Sequence, residues 1–201
     1  MRLFSLTPSA ALVLALCAGC TGNMTAPSAS EPSAGAIRFD RPQSSQAVAI
    51  QTSDGDYVVD VGSGGGRAKG HGCQFALNND ATTIGPWETF TLVSVTSEKY
   101  AFQTIYGDYV TAVAGGGIGG SVKRYGPLQT NGKRIGRSEK FQIVALGSNP
   151  PQVAIQTPDG EHYVTAVAGG GMGGCRFNLI EPFQTDAARI GEWEEFTLVS
   201  K

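Results

Sequence analysis

The sequence predicts an all-β domain, and three observations support this fold class. A unit of about fifty residues occurs three times between residues 46 and 201. Each copy contains four short runs in which β-branched or aromatic residues alternate with polar ones, the pattern of half-buried strands. No helical period of useful length competes with this alternation. The repeats therefore predict twelve short strands, four in each copy.

Short motifs define the repeat and return in the same order. Each copy opens with an apolar residue followed by Gln-Thr, and these threonines are Thr52, Thr104 and Thr157, 52 and 53 residues apart. A turn with Gly, a Tyr-Val pair and a Gly-rich loop follow in every copy, and an Ile-Gly motif that leads to Phe closes it. We place the repeats at residues 46–97, 98–148 and 149–201.

In the first copy, the strands are predicted at residues 47–52, 56–61, 73–77 and 90–95. The alternation predicts inward-facing side chains at Val48, Ile50, Phe90, Leu92, Tyr100, Phe102, Phe141, Ile143, Val153, Ile155, Phe196 and Leu198. A β-trefoil, a closed barrel capped by hairpins with pseudo-threefold symmetry, accommodates twelve strands in three equal units and removes exposed strand edges. A seven-stranded sandwich does not explain the period.

Residues 1–45 have the composition of an export signal followed by a tether. Arg2 precedes a mostly apolar run, residues 10–16, that is too short to span a bilayer as a helix. Ala18 and Gly19 before Cys20 resemble a bacterial lipobox, which implies cleavage after residue 19 and acylation of Cys20. Cys17 stands where a lipobox usually has Leu, so ordinary signal cleavage is the alternative. Residues 20–45, rich in Ser, Ala and Pro, predict a disordered tether.

The full repeat motif carries a family resemblance. The succession Ile-Gln-Thr-x-Asp-Gly-x-Tyr-Val, a Gly-rich loop and Ile-Gly-x-Trp-Glu-x-Phe closely resembles the fascin-like family of β-trefoils, and the resemblance covers all three copies. It implies a β-trefoil fold. It also implies one of two roles, because such trefoils serve in actin-bundling proteins and, in bacteria, as modules beside carbohydrate-active enzymes or on the cell surface.

Motifs of catalysis are not found in the sequence. Glu88, Glu139 and Glu194 recur in the same frame, and we interpret them as structural acceptors for turn amides, since catalytic carboxylates come as a pair in different environments. The Gly-rich loops lie between strands and are interpreted as tight turns, not phosphate cradles, which need a following helix. No spacing predicts a metal site, and we expect no cofactor and no enzymatic activity.

Two features break the symmetry or allow a crosslink. Asp60 stands where the other copies have Ala112 and Ala166. If this position faces inward, its carboxylate needs a partner, which makes the first copy a candidate functional copy; a strand-edge Asp is the alternative. Cys73 and Cys175 fall at matching places, so they are either two small core residues or, after export, a disulfide.

The divergent loops are the expected binding surface, because a rigid scaffold fixes loops and tolerates their variation. Their amides and aromatics suit sugar hydroxyls and ring faces, and together with Asp60 the candidates are Asn78, Asn79, Asp80, Tyr125, Gln129, Asn131, Phe183 and Gln184. The formal net charge is −2 with interspersed signs, which predicts no nucleic-acid partner.

The sequence thus predicts an exported, lipid-anchored and non-catalytic binding module of the cell envelope, or a secreted one if Cys20 is not acylated. A glycan is the expected ligand, and we expect a monomer. A protein-interaction domain, for an envelope partner or an actin-type filament, is the alternative.

Overall fold

The chain folds into one antiparallel β-sheet of twelve short strands. The computed structural model describes residues 44–61, 75–120, 126–148, 151–173 and 181–201. Cys20, Cys73, Tyr125 and Cys175 lie outside the described residues. The described strands are β1 (Ser45–Gln51), β2 (Tyr57–Asp60), β3 (Leu77–Ala81), β4 (Thr89–Ser94), β5 (Lys99–Gln103), β6 (Tyr109–Ala112), β7 (Leu128–Gly132), β8 (Phe141–Ala145), β9 (Gln152–Gln156), β10 (Tyr163–Ala166), β11 (Phe183–Ala187) and β12 (Glu195–Ser200).

Six of these strands form a closed barrel. The antiparallel pairs run in a ring from β1 to β4, β5, β8, β9 and β12, and β12 pairs with β1 again. The remaining strands form three hairpin pairs, β2–β3, β6–β7 and β10–β11, and each shows a register shift at the same place. This is the β-trefoil that the repeats predicted, with twelve strands and three equal units.

The barrel interior holds the side chains that the alternation placed there. Phe90, Phe141 and Phe196 are each 1% exposed and occupy equivalent positions in the three repeats. Phe102 packs edge-on against Phe141, with ring centroids 5.8 Å apart. All twelve residues predicted to face inward belong to the core, although Ile143 is only partly buried. The hydrophobic pattern therefore fixes the strand register.

The third strand of the first repeat differs from the prediction. It was expected at residues 73–77, but β3 begins at Leu77 and ends at Ala81. Pairing with β2 sets this position, since Asp60 lies opposite Leu77 and Tyr57 lies opposite Ala81. The Asn-Asn-Asp run has low strand propensity and was interpreted as a loop, but cross-strand pairing overrides propensity here.

Within the described ranges, no helix combines the length and the apolar composition that crossing a bilayer requires.

Candidate functional site

Among the described residues, the hairpin tips of the first and third repeats are each fixed against a Gly-rich loop of another repeat. In the first repeat the Asp54 amide donates to the Gly169 carbonyl at 3.0 Å, and in the third the Asp159 amide donates to the Gly115 carbonyl at 3.0 Å. Gly116 has a φ of +134°, and a Cβ there would lie 2.6 Å from the Thr157 hydroxyl. Only Gly permits this close approach. Both tips are thus committed to contacts between repeats.

The hairpin tip of the second repeat carries different side chains. Ile105 and Tyr106 stand where the other repeats have Ser-Asp or Pro-Asp, and they are 54% and 55% exposed. The turn itself is unchanged, because the Gln103 side-chain Nε2 donates to the Gly107 carbonyl at 2.9 Å, as the equivalent glutamines do in the other two repeats. The same backbone therefore presents an aromatic and an aliphatic side chain to solvent.

The closing turn of the first repeat presents a second aromatic side chain. Trp87 is 50% exposed. Glu88 fixes the turn, since its Oε2 accepts a hydrogen bond from the Gly85 amide at 2.7 Å, and the Thr89 hydroxyl donates to the Gly85 carbonyl at 2.7 Å. Glu139 and Glu194 accept from Gly136 and Gly191 in the same way. The structural role predicted for the three glutamates is confirmed.

A groove separates this closing turn from the hairpin of the second repeat. We call it the repeat 1–2 groove; its volume is about 590 Å³, and it is lined by Ile84, Gly85, Pro86, Thr89, Thr91, Gln103, Thr104, Ile105, Gly107 and Lys201. Ligand pockets of proteins commonly enclose about 300–1,000 Å³. Trp87 follows Pro86 in the chain, and Tyr106 lies between Ile105 and Gly107, so both aromatic residues adjoin the lining.

The groove lining combines apolar side chains with neutral polar ones. Thr91 and Gln103 are register partners on β4 and β5, and Lys201 is the one charged residue among the described lining residues. The Thr104 hydroxyl is buried and has no hydrogen-bond partner among the described residues, whereas the equivalent Thr52 and Thr157 hydroxyls donate to backbone carbonyls. The side chains of Thr91 and Gln103 thus bring a hydroxyl and an amide oxygen to the groove.

The barrel interior offers no comparable space. A cavity of about 30 Å³ lies among twelve apolar core side chains, including Phe90, Phe102 and Phe141. This volume is about that of one water molecule and the walls are apolar, so the cavity is a packing defect on the symmetry axis.

Two sequence-predicted candidates serve the fold. Phe183 is 3% exposed and belongs to the core as the equivalent of Leu77 and Leu128, so its assignment to a binding loop was wrong; it begins strand β11. Asn79 is fully buried. Its Nδ2 donates to the Pro182 carbonyl at 2.9 Å, and its Oδ1 accepts from the Met172 amide at 2.8 Å. Asn79 therefore joins the first repeat to the third.

The other described candidates lie on strands of different repeats. Asn78 lies on β3 and is 6% exposed. Asp80 lies on the same strand and is exposed, and its carboxylate occupies the space beside Gly173 of the third repeat. Gln129 is half-buried on β7, Asn131 is exposed on the same strand and donates to Gln129, and Gln184 is half-buried on β11. The structure does not bring these side chains together into one site.

Asp60 does face inward. It is 1% exposed, as its equivalents Ala112 and Ala166 are fully buried. Its amide donates to the Trp87 carbonyl at 2.9 Å, and the equivalent bond in the second repeat joins Ala112 to Ser138. The inward-facing alternative is the one that the structure has, and a fully buried carboxylate is not available to a ligand at the surface.

Trp87, Ile105 and Tyr106 were not among the predicted site residues. Trp87 was assigned only to the closing motif of the repeat. The signal for the other two was present, because Tyr106 replaces an Asp that the other two hairpins share. The difference between Tyr106 and its equivalents therefore marks this exposed hairpin tip, which the composition of the loops did not.

The Asp159 carboxyl has a lowered pKa. Burial raises it, but hydrogen bonds from the Glu161 amide, the Thr157 hydroxyl and His162 outweigh burial and lower the pKa of Asp159 to about 2. The His162 Nδ1 lies 2.8 Å from Asp159 Oδ2. This cluster fixes the third hairpin. No group of three or more His, Cys, Asp or Glu side chains in the described ranges is arranged to hold a metal ion.

Comparison with known proteins supports the fold. No protein-family model matches the chain, and no curated protein matches it. Similar solved structures include the designed threefold-symmetric protein ThreeFoil, at 10% identity and a TM-score of 0.59 over 77% of this chain and 99% of that one. SeviL bound to asialo-GM1 saccharide is similar at 8% identity and a TM-score of 0.53, over 78% of this chain and 98% of that one.

An enzyme also contains a similar unit. The exo-β-1,3-galactanase 1,3Gal43A from Clostridium thermocellum matches at 13% identity and a TM-score of 0.58, over 80% of this chain but only 31% of that one. At these identities, each likeness shows the β-trefoil fold alone. The fascin-like family stays a prediction.

Proposed function

We propose that this chain is a non-catalytic binding module that recognises carbohydrate at the repeat 1–2 groove. One observation carries the proposal: two exposed aromatic side chains, Trp87 and Tyr106, adjoin a groove lined by hydroxyl and amide groups. Aromatic faces pack against the C–H faces of sugar rings, and a few placed polar groups orient the sugar hydroxyls.

The lining chemistry supports binding without turnover. The described lining residues include no Asp or Glu side chain, whereas glycoside hydrolysis uses a pair of such carboxyl groups on either side of the scissile bond. The nearby Glu88 already accepts the Gly85 amide at 2.7 Å. The groove can therefore hold a sugar but has no acid and base with which to cleave it.

The comparisons are consistent with this reading. SeviL, a trefoil of nearly the same extent, is described with a bound saccharide, and the galactanase contains a trefoil-like unit in less than a third of its length. We further propose export, with residues 1–19 as a signal peptide, an acylated Cys20 and residues 20–45 as the tether, and a monomeric state.

A protein-interaction domain is the second candidate, and one observation favours it. Ile105 is 54% exposed at the hairpin tip, and an aliphatic side chain has no flat face for a sugar ring. Exposed apolar clusters with a polar border also mark protein interfaces. A surface protein of the envelope or an actin-type filament, as the fascin-like resemblance implies, would be the partner.

Glycan-array screening of the folded full chain tests the proposal, and titration calorimetry follows for any sugar that binds. We expect saturable binding without release of products. The Trp87→Ala and Tyr106→Ala variants should each weaken binding about tenfold, which corresponds to ~1.4 kcal/mol.

Trp193 provides a matched control. It is 48% exposed in the equivalent turn of the third repeat, but the hairpin beside it carries Asp54, which is committed to Gly169. The Trp193→Ala variant should bind as the unaltered chain does. A blank array with folded protein, or equal losses in all three variants, would contradict carbohydrate binding at this groove.

A further inference from the structure

The closing turn of the second repeat has a charge that its equivalents do not share. We call residues 133–140 the basic turn, because four positions in it are cationic: Lys133, Arg134, Arg137 and Lys140. The equivalent positions are Thr82, Thr83, Pro86 and Thr89 in the first repeat and Ala188, Arg189, Glu192 and Glu195 in the third. At these four positions, the equivalent closing turns of the three repeats are therefore neutral, basic and net acidic.

Three of the four cations have no counter-charge in the described structure. Lys133 is committed, since its Nζ lies 2.6 Å from Asp108 Oδ1, and the Asp108 side chain is only 11% exposed. No ion pair joins Arg134, Arg137 or Lys140 to any described carboxylate. The two arginines are exposed, and Lys140 is half-buried.

The one acid inside the turn is not available to these cations. Glu139 is 7% exposed, and its two oxygens accept from the Gly136 amide at 2.7 Å and the Thr111 hydroxyl at 2.9 Å. The Lys140 amide donates to the Arg137 carbonyl at 3.4 Å, so the backbone folds back between these two residues. Glu139 thus holds the backbone that presents the cations instead of neutralising them.

Exposed cations that no described carboxylate neutralises are available to an anionic ligand. The protein as a whole has a formal net charge of −2, so the basic turn is a local exception and not a consequence of basic composition. Arg guanidinium groups are planar and bind carboxylate or sulfate through two parallel hydrogen bonds. Two exposed arginines three residues apart suit a ligand with repeated anionic groups.

We propose that the basic turn binds the sulfate or carboxylate groups of an acidic polysaccharide. This inference rests on the proposed function and specifies its ligand class, since the repeat 1–2 groove would hold a sugar ring while the basic turn binds the charges of the same polymer. An anionic membrane surface is the less suitable partner. Peripheral membrane binding uses apolar side chains beside the cations, and Ser138 occupies the position that holds an exposed Trp in the other two turns.

Titration of the full chain with dextran sulfate, with uncharged dextran as the reference, tests the proposal. We expect binding to dextran sulfate alone, weakening steeply between about 20 and 200 mM salt because exposed charges are screened over that range. The double variant Arg134→Gln/Arg137→Gln should bind dextran sulfate at least about tenfold more weakly, since it loses both bidentate donors.

Arg189→Gln is the matched control, because Arg189 is the equivalent of Arg134 but is followed by Glu192 and Glu195. It should bind dextran sulfate as the unaltered chain does. The inference fails if dextran sulfate does not bind, if Arg189→Gln loses as much as the double variant, or if vesicles with anionic headgroups bind more tightly than dextran sulfate. A blank glycan array alongside binding at the basic turn would reject the groove and leave this inference standing.

Discussion

Replacing Asn79 with Ala should destabilise the fold without a direct effect at the ligand groove. The Asn79 side chain is fully buried and bridges two repeats through two hydrogen bonds, to the Met172 amide and the Pro182 carbonyl. Its backbone contacts with the Gly-rich loop, from the Gly171 amide at 2.8 Å and to the Met172 carbonyl at 3.4 Å, remain in the variant.

The two side-chain hydrogen bonds that Asn79→Ala removes contribute different amounts to the free energy of unfolding. The Met172 amide would lose its hydrogen-bond acceptor, which lowers the free energy of unfolding by about 2 kcal/mol if no water replaces that acceptor. The Pro182 carbonyl would keep its bond from the Val167 amide at 3.0 Å, so its loss is nearer about 1 kcal/mol. We expect a total of about 3 kcal/mol, or a melting temperature lowered by about 6 to 12 °C for a domain of this size.

Chemical denaturation and thermal melting of the purified variant provide the measurement, with Asn131→Ala as the control. Asn131 is exposed, and among the described residues its side chain donates to that of the half-buried Gln129, so that variant should stay within about 0.5 kcal/mol of the unaltered chain. A destabilisation below about 1 kcal/mol for Asn79→Ala would refute the bridging role. Loss of ligand binding at unchanged stability would restore Asn79 as a site residue.

Three further predictions concern the contacts between and within repeats. Asp159→Asn should lower the free energy of unfolding by about 1 kcal/mol near neutral pH, less than the full pKa difference implies, because the side chain is partly solvated. The pKa of Asp159 is lowered from 3.8 to about 2. The difference in stability from the unaltered chain, measured by denaturation, should therefore vanish as the pH falls from 4 to 2. Gly116→Ala should lower the free energy of unfolding by more than about 3 kcal/mol. Gly147→Ala is the control, since Gly147 has a φ of +70° and no atom within 4 Å of a Cβ placed there, and it should lower the free energy of unfolding by only about 1 to 2 kcal/mol. Equal melting temperatures of the two variants would contradict the close approach of Gly116 to Thr157. Thr165→Val removes the 2.6 Å bond to Glu194 and should cost about 2 kcal/mol by urea denaturation, whereas a change below about 0.5 kcal/mol would show that this bond is not stabilising.

The fold could be predicted from the sequence because the same pattern of apolar residues, turns and closing motifs occurs three times. A single hydrophobic alternation, such as that around Phe90, is a weak signal for a strand. The same alternation at Phe141 and Phe196, at a nearly constant interval, restricts the architecture to three equal units. The predicted role of Glu88 and its equivalents was also correct, since an acid near a turn in every copy has a local task.

The candidate site was harder to predict because burial depends on strand pairing. Asn79 and Phe183 have the composition of a binding loop, but opposing strands place them on β3 and β11, where they face the interior. Tyr106 lies on an exposed hairpin tip, at the position where the other two repeats have an Asp. The sequence contains that difference, but the exposure of the side chain is seen only in the structure.

The pairing of β1 with β12 has a consequence for the order of folding. Val48 lies opposite Ser200, so the ring of six barrel strands closes through residues about 150 positions apart. A growing chain can form individual hairpins early, but β1 and β9 keep unpaired edges until β12 has been synthesised, and such edges promote aggregation. We expect the barrel to close late and in a single cooperative step, with a slow rate set by this long-range contact. Factors that protect the incomplete chain should matter more for its yield than the stability of the finished barrel.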